Sequence, residues 1–185
     1  MIKNWRTIDT KHIGDFRIFD LYQHKREHPV TNKCSDFFAL TTTDWVNIIP
    51  VTVDGEVVLV EQYRHGIDAV TLEFPAGLME QNEVPRFSAE RECIEETGYA
   101  GADEAIYIGK VCPNPAFLNN FCYHFLWTDC VIQGEQNLDE NENINVVKVS
   151  FDELNRLIKD GTINHSLVIS ALYYYSIYND CIKTN

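Results

Sequence analysis

One stretch, from Pro85 to Gly98, constrains the chain more than any other: it reads as a single helix crowded with carboxylates. Proline suits a first helical turn, where its missing N–H costs nothing, and glycine suits the position just past the last turn. Between them lie Glu90, Glu92, Glu95 and Glu96, with Arg86 and Arg91. At ~100° per residue, Glu96 falls ~40° to one side of Glu92 and Glu95 ~60° to the other, so the three carboxylates can face one point. Arg91 neighbours Glu95 around the helix and can fix its direction. Ala89, Cys93, Ile94 and Thr97 are left to form the expected core face. Carboxylates this close repel unless a cation sits among them or their pKa values rise. A solvated acidic face is the plain alternative. What precedes the helix argues against it, because the expected strand "VTLEFPAG" ends in Pro75-Ala76-Gly77, where backbone carbonyls can join the carboxylates as ligands. An oxygen-only donor set suits Mg²⁺ or Mn²⁺ rather than a metal that prefers sulfur or imidazole.

The remainder of the 185 residues bounds the class of molecule. A net charge of −13 lacks the basic footprint that nucleic acid or an anionic membrane requires. Six cysteines (Cys34, Cys93, Cys112, Cys122, Cys130 and Cys181) include no C-x-x-C pair and no zinc spacing, and are expected as buried thiols of a reduced compartment. The N-terminus has no apolar signal region, and no run approaches the ~20 apolar residues of a membrane span. A cytoplasmic protein is the expectation.

Element by element, "DFRIFDLYQHKRE" and "CSDFFALTTT" are rich in aromatic and β-branched residues and are expected to form an N-terminal β hairpin or arm. "WVNIIPVT" and "VVLVEQYRH" flank Asp54-Gly55, which is expected to supply the positive φ values of a tight hairpin turn. Beyond the acidic helix, "AIYIGKVCP", "CYHFLWTDCVI" and "NINVVKVS" are expected strands, and "FDELNRLIKDG" and "NHSLVISALYYYSIYND" expected helices. Strands and helices do not alternate, so a mixed α+β fold with a mainly antiparallel or mixed sheet is expected, not a doubly wound one.

The spacing around the acidic helix resembles the Nudix box: Gly, five residues, Glu, seven residues, Arg-Glu, an apolar residue, any residue, Glu-Glu, any residue, Gly, an apolar residue. Gly77, Glu83, Arg91, Glu92, Cys93, Glu95, Glu96, Gly98 and Tyr99 meet it. Cys93 departs from the usual aliphatic residue, and Val84 stands where Thr or Ser often caps the helix; both concern packing or capping. The resemblance implies a Nudix fold, a mixed β-sheet sandwiched between helices, and a metal-dependent hydrolase of nucleoside diphosphates linked to another group. It implies Glu92 and Glu96 as principal Mg²⁺ ligands, Glu95 sharing or bridging, the Ala76 carbonyl assisting, and a more structural Glu83.

Outside the box the resemblance runs from about residue 14 to the C-terminus and is closest to ADP-ribose and nucleoside diphosphate sugar pyrophosphatases. Pro115, sixteen residues beyond Tyr99, lies where ADP-ribose-type members place a proline. "VEQYRHG" resembles the strand whose arginine contacts substrate phosphates, which points to Arg64, and Glu73 matches a glutamate supporting the site from the preceding strand. "LDENENINVVKVSFDEL" resembles the loop that delivers a late carboxylate, with Glu140 and Glu142 equal candidates for general base or for an additional metal ligand once the loop closes, and Asp139 a weaker one. Trp45 and Phe16 are candidates for stacking on the nucleobase, with core packing as the alternative. His65, His124 and His165 show no metal spacing and read as ordinary residues.

The resemblance further implies a homodimer in which an N-terminal arm, residues 1–41, completes the partner's site beside a hydrolase domain of residues 42–185. The expected substrate is a nucleoside diphosphate sugar. Removal of the 5′ pyrophosphate from RNA, disfavoured by the acidic charge, and a catalytically silent nucleotide sensor, disfavoured by the intact glutamates, are the competing readings.

Overall fold

The computed structural model describes residues 1–183. These divide into two compact units. One joins Met1–Thr43 to Cys112–Phe121; the other comprises Asp44–Val111 and the chain from Cys122 onward.

In the first unit, β1 (Arg6–Asp15), β2 (Asp20–Glu27) and β3 (Cys34–Thr41) form an antiparallel sheet in sequence order. The stretch "DFRIFDLYQHKRE" spans the end of β1, a turn and β2. Arg17 takes a φ of 68°, its N–H donates to Asp15 Oδ1 at 2.8 Å, and Phe16 N–H donates to the Phe19 carbonyl at 2.9 Å. This turn leaves Phe16 at its tip. The Cys112–Phe121 segment joins the sheet where Leu40 N–H donates to the Phe117 carbonyl at 2.7 Å.

The second unit holds an eight-stranded mixed sheet. Its spine is β11 (Ile144–Val149), β5 (Val57–Arg64), β4 (Trp45–Thr52), β10 (Cys122–Ile132) and β8 (Tyr99–Ala100). Strands β6 (Ala69–Glu73), β7 (Ala76–Leu78) and β9 (Ile106–Val111) pair with β5, β4 and β10. Only β4 and β10 run parallel among these pairs. At the β4–β5 turn Gly55 alone takes a positive φ, 79°, and Asp54 does not.

Alternation along β4 and β10 divides the core in two. Val46, Ile48, Phe125 and Trp127 face one side with Ala89 and Cys93 of α1 (Pro85–Thr97). Ile49 and Leu126 face the other with Leu154 of α2 (Phe151–Lys159) and Val168 and Ala171 of α3 (Ser166–Lys183). Burying each of the valine, leucine, isoleucine and phenylalanine side chains among them contributes about 1.5–3 kcal/mol, which holds the helices to the sheet. Ser150 caps α2 by accepting the Glu153 N–H at 3.1 Å. α1 has no such side chain: Val84 precedes Pro85 at its first position, and its end is set by Gly98 at a φ of 72°.

None of the six cysteines forms a disulfide, but Cys34, Cys112 and Cys181 are exposed where burial was expected; Cys93, Cys122 and Cys130 are buried. No helix among the described residues is long and apolar enough to cross a membrane.

Candidate active site on the acidic helix

The break at Phe74-Pro75 lets one stretch of chain serve two neighbours. Glu73 ends β6 beside β5, while Ala76 and Gly77 begin β7 beside β4. α1 lies against β7 and β4. Its core face differs from expectation: Ile94 is 40% exposed, whereas Glu96 is 3% exposed. Helical geometry explains both, since Glu96 lies ~20° from Ala89 around the axis and Ile94 lies ~140° away.

Glu96 is therefore a carboxylate set in a core. Its Oε2 accepts the Ala76 N–H at 3.1 Å. Burial pushes its pKa up to about 8, helped by the charges of Glu92 and Glu142, against the opposing pull of the Ala76 N–H and Arg64. Glu92 is pushed up to about 7 by burial, reinforced by Glu95 and Glu142 and opposed by Arg91. Gly77 makes room for it: a Cβ there would lie 2.1 Å from the Glu92 carboxyl carbon.

Arg91 does more than orient one carboxylate. Its Nη1 donates to Glu92 Oε1 and Glu95 Oε2, both at 2.9 Å, while Nε and Nη2 hold the two oxygens of Glu83 at 3.0 and 3.1 Å. Its Nη2 also reaches the Leu78 carbonyl at 3.3 Å, tying the helix to the glycine loop. Hydrogen bonding to Arg91 pulls the Glu83 carboxyl down to about 2. Glu83 is thus a permanent counter-charge, while Glu92 and Glu96 lack full compensation. No three Asp, Glu, His or Cys side chains among the described residues stand as an assembled metal cage. Arg91 and the Ala76 N–H engage the oxygens of Glu92, Glu95 and Glu96. The donor chemistry still fits a hard divalent cation: all-oxygen ligands, a carboxylate cradled on glycine, and buried carboxyls whose raised pKa values a bound cation would bring down.

Beside the helix, Arg64 grips Glu73 through two parallel bonds of 2.9 and 2.8 Å. Glu73 is 1% exposed and also accepts from Thr71 at 2.5 Å. Burial raises its pKa, but the bonds from Arg64 and Thr71 outweigh that and leave it lowered. His165 Nδ1 stands 3.7 Å from Glu73, so this histidine belongs to the cluster although its sequence context carried no sign of it. The Thr71 contact was missed too, although its position two residues before Glu73 on one strand puts both on the same face. Arg64 in turn feels the charges of Glu96 and Glu142.

Glu142 lies in the loop before β11, where its carboxylate accepts the Asp139 N–H at 3.0 Å. Its charge reaches Glu92, Glu96 and Arg64. Glu140 is exposed in the same loop. Trp45 opens β4 opposite Leu78, with its indole nitrogen buried and without a partner. Phe16 and Pro115 belong to the first unit, Phe16 stacked on Phe19 with ring centroids 5.3 Å apart. His65 packs edge-on against Tyr63.

This site lies on a chain with many relatives. A NUDIX domain model matches residues 42–172. The chain is similar to an ADP-ribose pyrophosphatase of Bacillus subtilis (strain 168), 28% identical across 93% of this chain and 92% of the relative. It is equally similar to a methanol dehydrogenase activator of Bacillus methanolicus, 29% identical over the same shares. A crystal structure of an ADP compounds hydrolase superposes with a TM-score of 0.85 over 96% of this chain and 95% of that one, at 20% identity. Motif, fold and family match thus agree: the chain belongs to the Nudix family, as a hydrolase resembling its ADP-ribose and nucleoside diphosphate sugar pyrophosphatases.

Proposed function

We propose that the protein hydrolyses the pyrophosphate bond of ADP-ribose or another nucleoside diphosphate sugar, giving a nucleoside monophosphate and a sugar phosphate. One observation carries the reading: Glu92 and Glu96 are buried together with raised pKa values, while the one arginine among the box carboxylates is shared by Glu83, Glu92 and Glu95. A silent binding module gains nothing from burying two carboxyls that ionise only reluctantly.

Glu92 and Glu96, with Glu95 and the Ala76 carbonyl, would hold Mg²⁺ or Mn²⁺, which neutralises pyrophosphate charge and acidifies the attacking water. Arg91 keeps Glu92 and Glu95 aimed from the helix. Arg64, oriented by Glu73, presents its guanidinium to the phosphates. Glu142 takes the proton from the attacking water, a role favoured over Glu140 by the reach of its charge to Glu92 and Glu96. Trp45 offers an aromatic face to the base; Phe16 and Pro115, carried by the first unit, are separate candidates for substrate contact. Residues 1–41 serve as an arm that joins two copies into a homodimer, beside a hydrolase domain of residues 42–185.

The test is a panel of ADP-ribose, ADP-glucose, GDP-mannose, UDP-glucose and triphosphorylated RNA with Mg²⁺. Release of AMP or GMP from a nucleotide sugar is expected, falling by roughly 100-fold or more in Glu96→Gln with its circular dichroism unchanged. Tight binding without turnover of any nucleotide sugar would make the protein a sensor. Turnover of the RNA alone would make it an RNA pyrophosphohydrolase.

A further inference from the structure

The last turn of α1 presents carbonyls that its own helix cannot satisfy. Gly98 N–H closes on the Ile94 carbonyl at 2.8 Å, which leaves those of Glu95, Glu96 and Thr97. The Glu95 and Glu96 carbonyls are met by one short segment following β10. Asn137 N–H donates to the Glu95 carbonyl at 2.9 Å. The Gln136 side-chain amide donates to the Glu96 carbonyl at 2.7 Å and, from the same nitrogen, to the Ile144 carbonyl at 3.1 Å. Gln133 N–H adds a bond to the Gly98 carbonyl at 2.8 Å. The Gly134 carbonyl lies so close to Gly98 that a Cβ on Gly98 would come within 2.3 Å of it.

The consequence lies in what Gln136 spans. Its two amide hydrogens join the backbone of Glu96, on the acidic helix, to that of Ile144, the first residue of β11. The loop between Asn137 and Ile144 contains Glu142, so its two ends are gathered at one amide. Inside, the loop has a turn of its own: Glu142 N–H donates to the Asp139 carbonyl at 2.9 Å and its carboxylate accepts the Asp139 N–H. A loop with pinned ends and an internal turn has few places to put its carboxylate.

We propose that Gln136 is a positioning residue that sets where Glu142 stands against Glu92 and Glu96. It does so by bracing the end of the helix and the end of the loop against each other. The inference rests on the catalytic reading above for its effect on turnover, but not for its effect on the loop.

The test compares Gln136→Met, which keeps length and loses both donors, and Gln136→Glu, which keeps shape and offers only acceptors, with the native chain. Both variants are expected to exchange the amide hydrogens of residues 137–143 about tenfold faster, with those of β4 and β10 unchanged. For the nucleotide sugar that the native protein cleaves, kcat is expected to fall about tenfold and KM to change less than about twofold. Native exchange rates in Gln136→Met would overturn the proposal. So would faster exchange with unchanged kcat, since the brace would then not govern the site. If the native chain cleaves no nucleotide sugar, the catalytic reading fails separately, and the affinity for Mn²⁺ alone then decides. Affinity is expected to drop about threefold in Gln136→Met, because the Glu142 charge is no longer held beside the other carboxylates. Unchanged affinity would overturn the brace.

Discussion

At the scale of single residues, the site is governed by where charge is compensated and where it is not. Arg91 spends its donors on Glu83, Glu92 and Glu95, and the one glycine in contact with Glu92 gives that carboxylate its place. Gly77→Ala is therefore a sharp probe. Its φ lies outside the left-handed region, so alanine suffers no backbone strain there, yet the added methyl would overlap the Glu92 carboxyl at 2.1 Å. Displacing that carboxylate by about an ångström is expected to cost at least tenfold in turnover while the thermal midpoint changes by only a few degrees. Native turnover by Gly77→Ala, measured beside its melting curve, would show that Glu92 needs no such seat. The glycine, the charged pattern and the convergence of Glu92, Glu95 and Glu96 were legible in the sequence, because helical angles follow from counting. The burial of Glu96 was countable too, once Ala89 and Cys93 set the core face. What counting could not reach was Arg91's two bonds to Glu83, which lies before the helix, or His165 beside Glu73, because each joins separate elements.

At the scale of elements, the legible and the hidden divide by patterning. α1 could be bounded from Pro85 and Gly98, and β10 from an uninterrupted run, but β1 could not. Its sequence, RTIDTKHIGD, alternates nothing, and nine of its ten residues are exposed, so no face is marked. β8 has two residues, too few to show a period. One element pair carries a pH dependence. His124 of β10 is fully buried, its Nε2 lies 3.0 Å from Ser170 Oγ of α3, and its Nδ1 has no partner. Burial pushes its pKa down from 6.5 to about 4. The neutral ring is therefore the folded form, and its contribution is fully present above pH 6.5 and is lost as the pH falls through about 4. The full loss amounts to about 3 kcal/mol. In urea unfolding at pH 7 and pH 4.5, the native protein is expected to lose more stability on acidification than His124→Gln. Equal losses in the two proteins would remove His124 as a source of acid sensitivity.

At the scale of the whole molecule, the two units differ in how they are stabilised. Every fully buried apolar side chain belongs to the second unit, where two cores flank one sheet. The first unit contributes none, yet exposes Trp5, Ile8, Ile13, Phe16, Ile18, Phe37 and Phe38. A three-stranded sheet with no fully buried apolar side chain has little to hold it in water. This supports the proposed homodimer, in which the arm's exposed side chains are covered by a second copy. The charge of −13 on each chain opposes that association at long range, and salt screens charge while leaving apolar contact intact. Sedimentation equilibrium is thus expected to give about twice the 21.4 kDa chain mass, with a dissociation constant that falls as salt rises from about 0.05 to 0.5 M. Phe38→Glu, which adds a charge to an exposed ring position outside the acidic helix and its loop, is expected to shift the population to monomer. It should leave the melting of the second unit unchanged. A native protein that sediments as a monomer at every salt concentration would end the dimer proposal. A dimer that weakens with salt would mean that ion pairs, not the exposed aromatic side chains, hold it together.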